Sequence, residues 1–275
     1  MKVTEEDILN LKRISNNVRK SIVEEVYSAQ SGHPGGALSC ADILTVLYFN
    51  QMNIDPEKKD DLNRDRLVLS KGHASAALYA VLAERGYFSK DELKGFRKLG
   101  SMLQGHPDMK HIPGVDMTAG SLGQGLSVAN GMAISSKLDE RGFRVYCIVG
   151  DGEIEEGQIW EALMSSNKYN LNNLIIFVDH NGLQIDGTTK DVKSVDNLDK
   201  KFEAFGLNVQ KINGNNINEI INAVKNAKDY LNDRPNVIIA DTVKGKGISF
   251  MENKVEWHGK ALNDEELQIA LNELK

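Results

Sequence analysis

Five strand-sized runs that read as buried, each separated from the next by a stretch of helical character, constrain this chain most. They fall at 67–69, 145–149, 174–178, 207–212 and 237–240. Helices are expected between and before them, at 41–49, 74–84, 122–138, 158–169 and 217–231. Near the start, Ile8, Leu11, Ile14, Val18, Ile22 and Val26 keep a helical stripe, and Thr4 with Asp7 has the spacing of a capping box. Short apolar strands alternating with helices predict an α/β fold. Its central sheet is mostly parallel and covered by helices on both faces. The length, 275 residues, suits one large domain over 1–275, and no repeat or low-complexity linker divides it.

Composition removes several classes of protein. With 41% apolar and 26% charged residues, the chain is neither disordered nor fibrous. No apolar run reaches membrane-spanning length. The start, Met1 to Asp7, is acidic and lacks the apolar segment of a secretory signal. Cys40 and Cys147 form neither a disulfide framework nor a zinc spacing, so a reducing cytoplasm is expected. A net charge of −6 argues against a nucleic-acid partner, though not against a small phosphorylated ligand. The charged stretch 55–66, with Pro56, reads as a solvated connection.

In open parallel sheets, ligands sit beyond the carboxyl ends of the strands. Lys71-Gly72-His73, Gly150-Asp151-Gly152, Asp179-His180-Asn181 and the loop after Val243 occupy such places. Glycines at 150 and 152 allow close backbone approach, and the following helix offers amides to an anion. Asp151 then puts a negative charge inside a phosphate cradle. A divalent cation resolves the repulsion, because carboxylate and phosphate oxygens become co-ligands. Asn181, past the next strand, is a candidate second ligand, and the backbone carbonyl of Leu183 a third. Gly-Asp-Gly and Asn181-Gly182 are equally strong turn signals, so each alone reads as a turn. The adjacent strand ends favour a site. A dinucleotide fingerprint fits worse, since G-x-G-x-x-G is missing here.

Gly150-Asp151-Gly152 with Asn181 resembles the thiamine diphosphate motif. Further segments resemble those of transketolases, in the same order. They are Ser31-Gly32-His33-Pro34-Gly35, Ser70-Lys71-Gly72-His73, Gln104-Gly105-His106-Pro107, Gly120 to Gly125, Gly150 to Ala162 and Trp257-His258-Gly259. The resemblance covers essentially the whole chain and implies a thiamine diphosphate-binding fold of the pyrophosphate-binding type. It also implies thiamine diphosphate as cofactor, with Mg²⁺ (or Mn²⁺ or Ca²⁺) held by Asp151, Asn181 and Leu183. The Gly152 amide would meet the diphosphate, and Gly120 and Leu122 the thiamine. Ser121 stands where many long transketolases carry proline, which alters the expected loop shape but not the contact.

Four histidines touch glycine in sequence. Any one of them alone reads as structural; four in matching motifs read as a site. The resemblance implies that His73 and His258 lie near the diphosphate and the reacting carbon, while His33 and His106 hold sugar hydroxyls and the carbonyl oxygen. Ketol transfer develops an oxyanion and moves protons, and imidazole suits both tasks near neutral pH. His111 and His180 lack this support and read as structural. Glu156 and Glu161, five residues apart, do not share a helical face. By resemblance they lie toward a subunit interface, near the cofactor's aminopyrimidine. Lys244-Gly245-Lys246-Gly247 looks like a phosphate-attracting loop, though by itself it also reads as a mobile, solvated loop with two surface lysines. The resemblance makes it close over the cofactor, with no fixed role for either lysine.

The match is to the N-terminal part of a full-length transketolase. The pyrimidine-binding domain, which carries a glutamate for the aminopyrimidine, and the C-terminal domain are not in this sequence. The expectation is therefore the N-terminal subunit of a split transketolase, acting on sugar phosphates in the pentose phosphate pathway. Its partner would be a C-terminal subunit, and the two would assemble as a heterotetramer of two of each chain. Two alternatives stand beside it. One is a subunit of another thiamine enzyme, of the 2-oxo acid dehydrogenase or deoxyxylulose phosphate synthase type. The other is a non-catalytic cofactor-binding module, whose signature would be loss of the substrate histidines.

Overall fold

The computed structural model describes residues 3–194, 197–230 and 232–275. Helix α1 (Glu5–Ala29) opens with the expected capping box: Asp7 N donates to Thr4 Oγ1 at 3.1 Å and Thr4 N to Asp7 Oδ2 at 2.9 Å. Its stripe from Leu11 to Val26 is buried. Two short helices follow, α2 (Pro34–Ser39) and α3 (Ala41–Val46). The expected helix over 41–49 ends in a π-helical turn, Leu47–Gln51. Then come β1 (Arg66–Leu69), α4 (Ser75–Arg85), α5 (Gln124–Leu138), β2 (Val145–Gly150), α6 (Gly157–Lys168) and β3 (Leu174–His180). The chain continues through α7 (Thr189–Lys193), α8 (Leu198–Ala204), β4 (Asn208–Asn213), α9 (Ile217–Asp229), β5 (Asn236–Asp241) and α10 (Asp264–Glu273).

All strand pairings are parallel, in the order β1-β2-β3-β5-β4. Alternate residues of the central strands enter opposite cores. Leu67, Leu69, Tyr146, Ile148, Ile175, Phe177 and Ile238 pack with α1 to α4, α9 and α10. Val68, Val145, Cys147, Val149, Ile176, Val178 and Ile239 pack with α5, α6 and α8. Fully burying one such aliphatic side chain contributes about 1.5–3 kcal/mol, so two-sided burial decides where these strands lie. Among the described residues, no helix is long and apolar enough to cross a membrane.

Four expectations need correction. β4 is not buried; it is an edge strand, half-buried or exposed along its length. α5 begins at Gln124 rather than 122, because Gly123 has φ 85° and interrupts the helical backbone. The last helix before β5 ends at Asp229, and Leu231 lies outside the described residues. The 55–66 connection is solvated only in part. Asp65 is buried and accepts from Asn53 N at 2.9 Å and Arg144 N at 2.8 Å, satisfying amides at the foot of the sheet.

The register sets up the site. Gly150 lies opposite Asp179, and His180 opposite Asp241. The carboxyl ends of β2, β3 and β5 therefore form one ledge.

Candidate active site

A cavity of about 360 Å³ opens at that ledge. Its wall includes all four glycine-flanked histidines, His33, His73, His106 and His258. Gly120, Leu122, Asp151, Gly152, Asn181 and Leu183 complete the expected set. Glu156 is different: it stands exposed at the N-cap of α6, outside the wall, and Glu161 is exposed one turn on. His111 and His180 are also outside the wall. Each ring bonds a carboxylate through Nδ1, His111 to Asp108 at 2.6 Å and His180 to Asp241 at 2.7 Å.

Close backbone contacts assemble the histidines from distant segments. His33 caps α2, with Pro34 preset in the first helical turn. Gly35 packs so tightly on the 257–258 loop that a Cβ there would lie 2.7 Å from Trp257 O. Gly35 O also accepts from Gly245 N at 3.0 Å, which draws in the lysine loop. Gly72 likewise abuts Ala119, where a Cβ would lie 2.7 Å from its carbonyl oxygen, so His73 comes beside the 120 loop. As a result, the rings of His33, His73 and His258 have centroids 5.3–5.4 Å apart in each pairing.

Two buried aspartates, Asp151 in the cavity wall and Asp179 behind it, differ in how they are paired. Asp179 pairs with Lys71 and accepts from Ser39 Oγ at 2.6 Å and Thr242 Oγ1 at 2.5 Å. Burial would raise its carboxyl, but Lys71 and these donors hold it below the ordinary value. Among the described residues, no such cation is bonded to Asp151. It accepts from Gly182 N at 2.5 Å and Gly152 N at 2.9 Å. Burial, reinforced by the neighbouring Asp179 charge, pushes its carboxyl up to about 6. A parallel sheet also removes the hairpin reading of Gly150-Asp151-Gly152, and neither glycine adopts a positive φ.

Burial also governs the histidines. It pushes His33 down to about 4, helped by Arg97, His106 and Lys244. It pushes His258 down to about 4, helped by Lys244, His33 and Lys71. His73 and His106 are lowered for the same reason, burial first. These shifts favour the neutral form of all four rings. Cations surround them, and among the described residues no carboxylate is bonded to them.

Three buried, charged wall residues, Lys71, Glu153 and Lys244, were not assigned a role by sequence reasoning. Lys71 sits in the Ser70-Lys71-Gly72-His73 segment, but a lysine reads as surface until its buried partner Asp179 is seen. Lys244 is buried rather than solvated; its Nζ lies 3.3 Å from Leu183 O and 3.0 Å from His258 Nδ1. Burial lowers its ammonium to about 8. Glu153 accepts from Gly123 N at 2.9 Å and Gly150 N at 3.0 Å and bonds Ser70 Oγ, tying the end of β2 to the segments around Ser70 and Gly123. No periodicity or spacing signals that role.

The comparisons with known proteins agree with this geometry. Residues 11–274 match the family model "Transketolase, thiamine diphosphate binding domain". A 6-deoxy-6-sulfo-D-fructose transketolase subunit of Clostridium sp. (strain MSTE9) is 45% identical over 270 residues, 98% of each chain. An apulose-4-phosphate transketolase subunit of Phocaeicola vulgatus is 42% identical, over 94% of this chain and 92% of its own. The crystal structure of transketolase from Campylobacter jejuni superposes with a TM-score of 0.90 at 34% identity, covering 100% of this chain and 43% of the longer one. This chain belongs to the transketolase family, as the N-terminal, thiamine diphosphate-binding part of a split transketolase.

Proposed function

We propose that this chain is the cofactor- and metal-holding subunit of an enzyme that moves a two-carbon ketol unit from a ketose phosphate to an aldose phosphate. It turns over only with a C-terminal subunit carrying the pyrimidine-binding domain. The observation that carries this reading is the convergence of four histidines on one cavity beside Asp151 and Asn181. Single-domain organisation, a heterotetramer of two of each chain, the cytoplasm and a pentose-phosphate role belong to the same proposal.

The donor set fits a hard divalent cation. The Asp151 carboxylate, the Asn181 amide oxygen and the Leu183 carbonyl are all oxygens, and Asp151 is buried without a bonded cation. Among the described residues, no three His, Cys, Asp or Glu side chains group into a metal cluster. An ion here therefore needs further oxygens, and a diphosphate carries them. Mg²⁺ is the reading, and Mn²⁺ and Ca²⁺ accept the same donors. Thiamine diphosphate, when bound, supplies the carbon nucleophile that cleaves a bond beside a carbonyl.

This chain's residues do the holding. The Gly152 amide, His73 and Lys244 would face the diphosphate, and Gly120 and Leu122 the thiamine. Glu156 and Glu161 project from the exposed side toward the partner. His33, His106 and His258, neutral at pH 7, act as hydrogen-bond partners for sugar oxygens rather than as standing cations. One relative is named for a sulfo sugar and another for a sugar phosphate, so a second reading is a donor with a sulfonate in place of phosphate.

The test is reconstitution with a C-terminal transketolase subunit, thiamine diphosphate and Mg²⁺, assayed on ketose phosphates and on 6-deoxy-6-sulfo-D-fructose. Turnover is expected in the complex and not in the chain alone; substantial turnover without a partner sinks the proposal. His106→Ala should lower turnover and leave cofactor affinity largely intact. Collapse of affinity with unchanged turnover per bound cofactor would favour the binding-module reading.

A further inference from the structure

We propose that Arg97 is a positioning residue that fixes His33 as the neutral tautomer with its proton on Nε2. His33 then meets a ligand only as a hydrogen-bond donor. The tautomer stands on this chain's geometry alone; its consequence for turnover rests on the substrate role proposed above for His33.

The argument starts from what a guanidinium can do. It has five N–H donors, no acceptor, and keeps its charge. Arg97 Nη2 lies 3.2 Å from His33 Nδ1. That contact is bonding only if Nδ1 presents a lone pair, so the single proton of the neutral ring sits on Nε2. The groups facing His33 are Arg97, His106, Lys244 and the rings of His73 and His258. None is an acid that would draw the proton to Nδ1. His111 and His180 show the opposite arrangement, each with a carboxylate at Nδ1.

Arg97 is held for this contact. Nη1 donates to Ser31 Oγ at 2.9 Å, Nη2 also reaches Gly105 O at 3.4 Å, and the guanidinium carbon lies 5.4 Å from the centre of the Phe96 ring. Its backbone has φ 56°, a region that non-glycine residues avoid, and its buried Nε has no acceptor among the described residues. A freely solvated surface arginine would carry neither cost. Arg97 is not part of the cavity wall, so it acts through His33.

The test is ¹⁵N NMR of the full chain with labelled histidine, assigning His33 by its loss in His33→Gln. The expected result is an unprotonated Nδ1 and a protonated Nε2 down to about pH 5. In Arg97→Met, an Nδ1–H form should appear and the titration midpoint should rise. A wild-type His33 protonated on Nδ1, or a tautomer unchanged in Arg97→Met, overturns the proposal. Should Arg97→Met fail to fold, the wild-type tautomer still decides. Ser31→Ala, which removes only the Nη1 contact, should leave it unchanged. In the reconstituted complex, Arg97→Met should lower kcat/KM by about tenfold or more, and cause no further loss in a His33→Gln background. Equal losses in both backgrounds would place the action of Arg97 elsewhere and overturn the proposal. If His33→Gln itself leaves turnover unchanged while the tautomer is as stated, the substrate role of His33 fails and the tautomer stands.

Discussion

Asp151 and Asp179 lie at the ends of neighbouring strands, both buried, yet the chain treats them in opposite ways. Asp179 is neutralised from within, by Lys71, Ser39 and Thr242. Asp151 receives backbone amides and no bonded cation, and its carboxyl is pushed up to about 6. A buried charge that the fold completes is part of the scaffold. One that the fold leaves incomplete marks where a bound cation is expected to finish the job.

The strongest way to break this comparison is to exchange the roles experimentally. Asp179→Ala leaves Lys71 buried and unpaired and should cost about 3–5 kcal/mol, read from the urea midpoint of the full chain. Lys71→Met combined with Asp179→Leu should recover much of that loss. If Asp179→Ala is harmless, the scaffold role is wrong.

Asp151→Asn should do the reverse. Stability of the cofactor-free chain should hold, while Mg²⁺-dependent cofactor affinity falls by at least the ~100-fold that loss of a metal's outer-shell partner can cost. Calorimetry with and without Mg²⁺ reads this directly, and metal-dependent affinity that survives the change would remove Asp151 from the metal site. A smaller effect belongs to Ser39→Ala, which removes one donor to a charged acceptor and should cost about 1.5–3 kcal/mol of stability, with cofactor affinity unchanged.

A further expected effect is a drift with pH. His33 and His258 have folded values of about 4 against an ordinary 6.5. Between those values the unfolded chain binds more protons, so their contribution is present above pH 6.5 and is lost as pH falls toward 4. Asp151, raised to about 6, works the other way and offsets part of it. The urea midpoint of the cofactor-free chain should therefore decline on acidification through this window; a midpoint that rises there would contradict the neutral histidine cluster.

Much of this was legible in the residues. The parallel α/β layout follows from short apolar runs alternating with helices, and Asp151 and Asn181 were located by the rule that sites lie past strand ends. β4 misled because an edge strand has one neighbour and needs little apolar surface; Asn208–Asn213 carries a strand pattern without burial. Lys71 and Lys244 escaped because lysine is ordinarily a surface residue, and nothing local signals a partner 108 or 61 positions away. Glu153 escaped for the same reason: two of its partners, Ser70 and Gly123, lie 83 and 30 positions away.

By itself, the sequence determined which residues were available for chemistry and the order of elements that would carry them. Periodicity and glycine placement are local properties, and local properties survive in a linear text. The tertiary structure alone decided which charges are paired and which histidines are buried among cations. It also decided which ring nitrogen faces a cation. Those outcomes depend on burial and on distances between segments far apart in the chain, where removal from water turns a contact of about 3 Å into the dominant electrostatic fact.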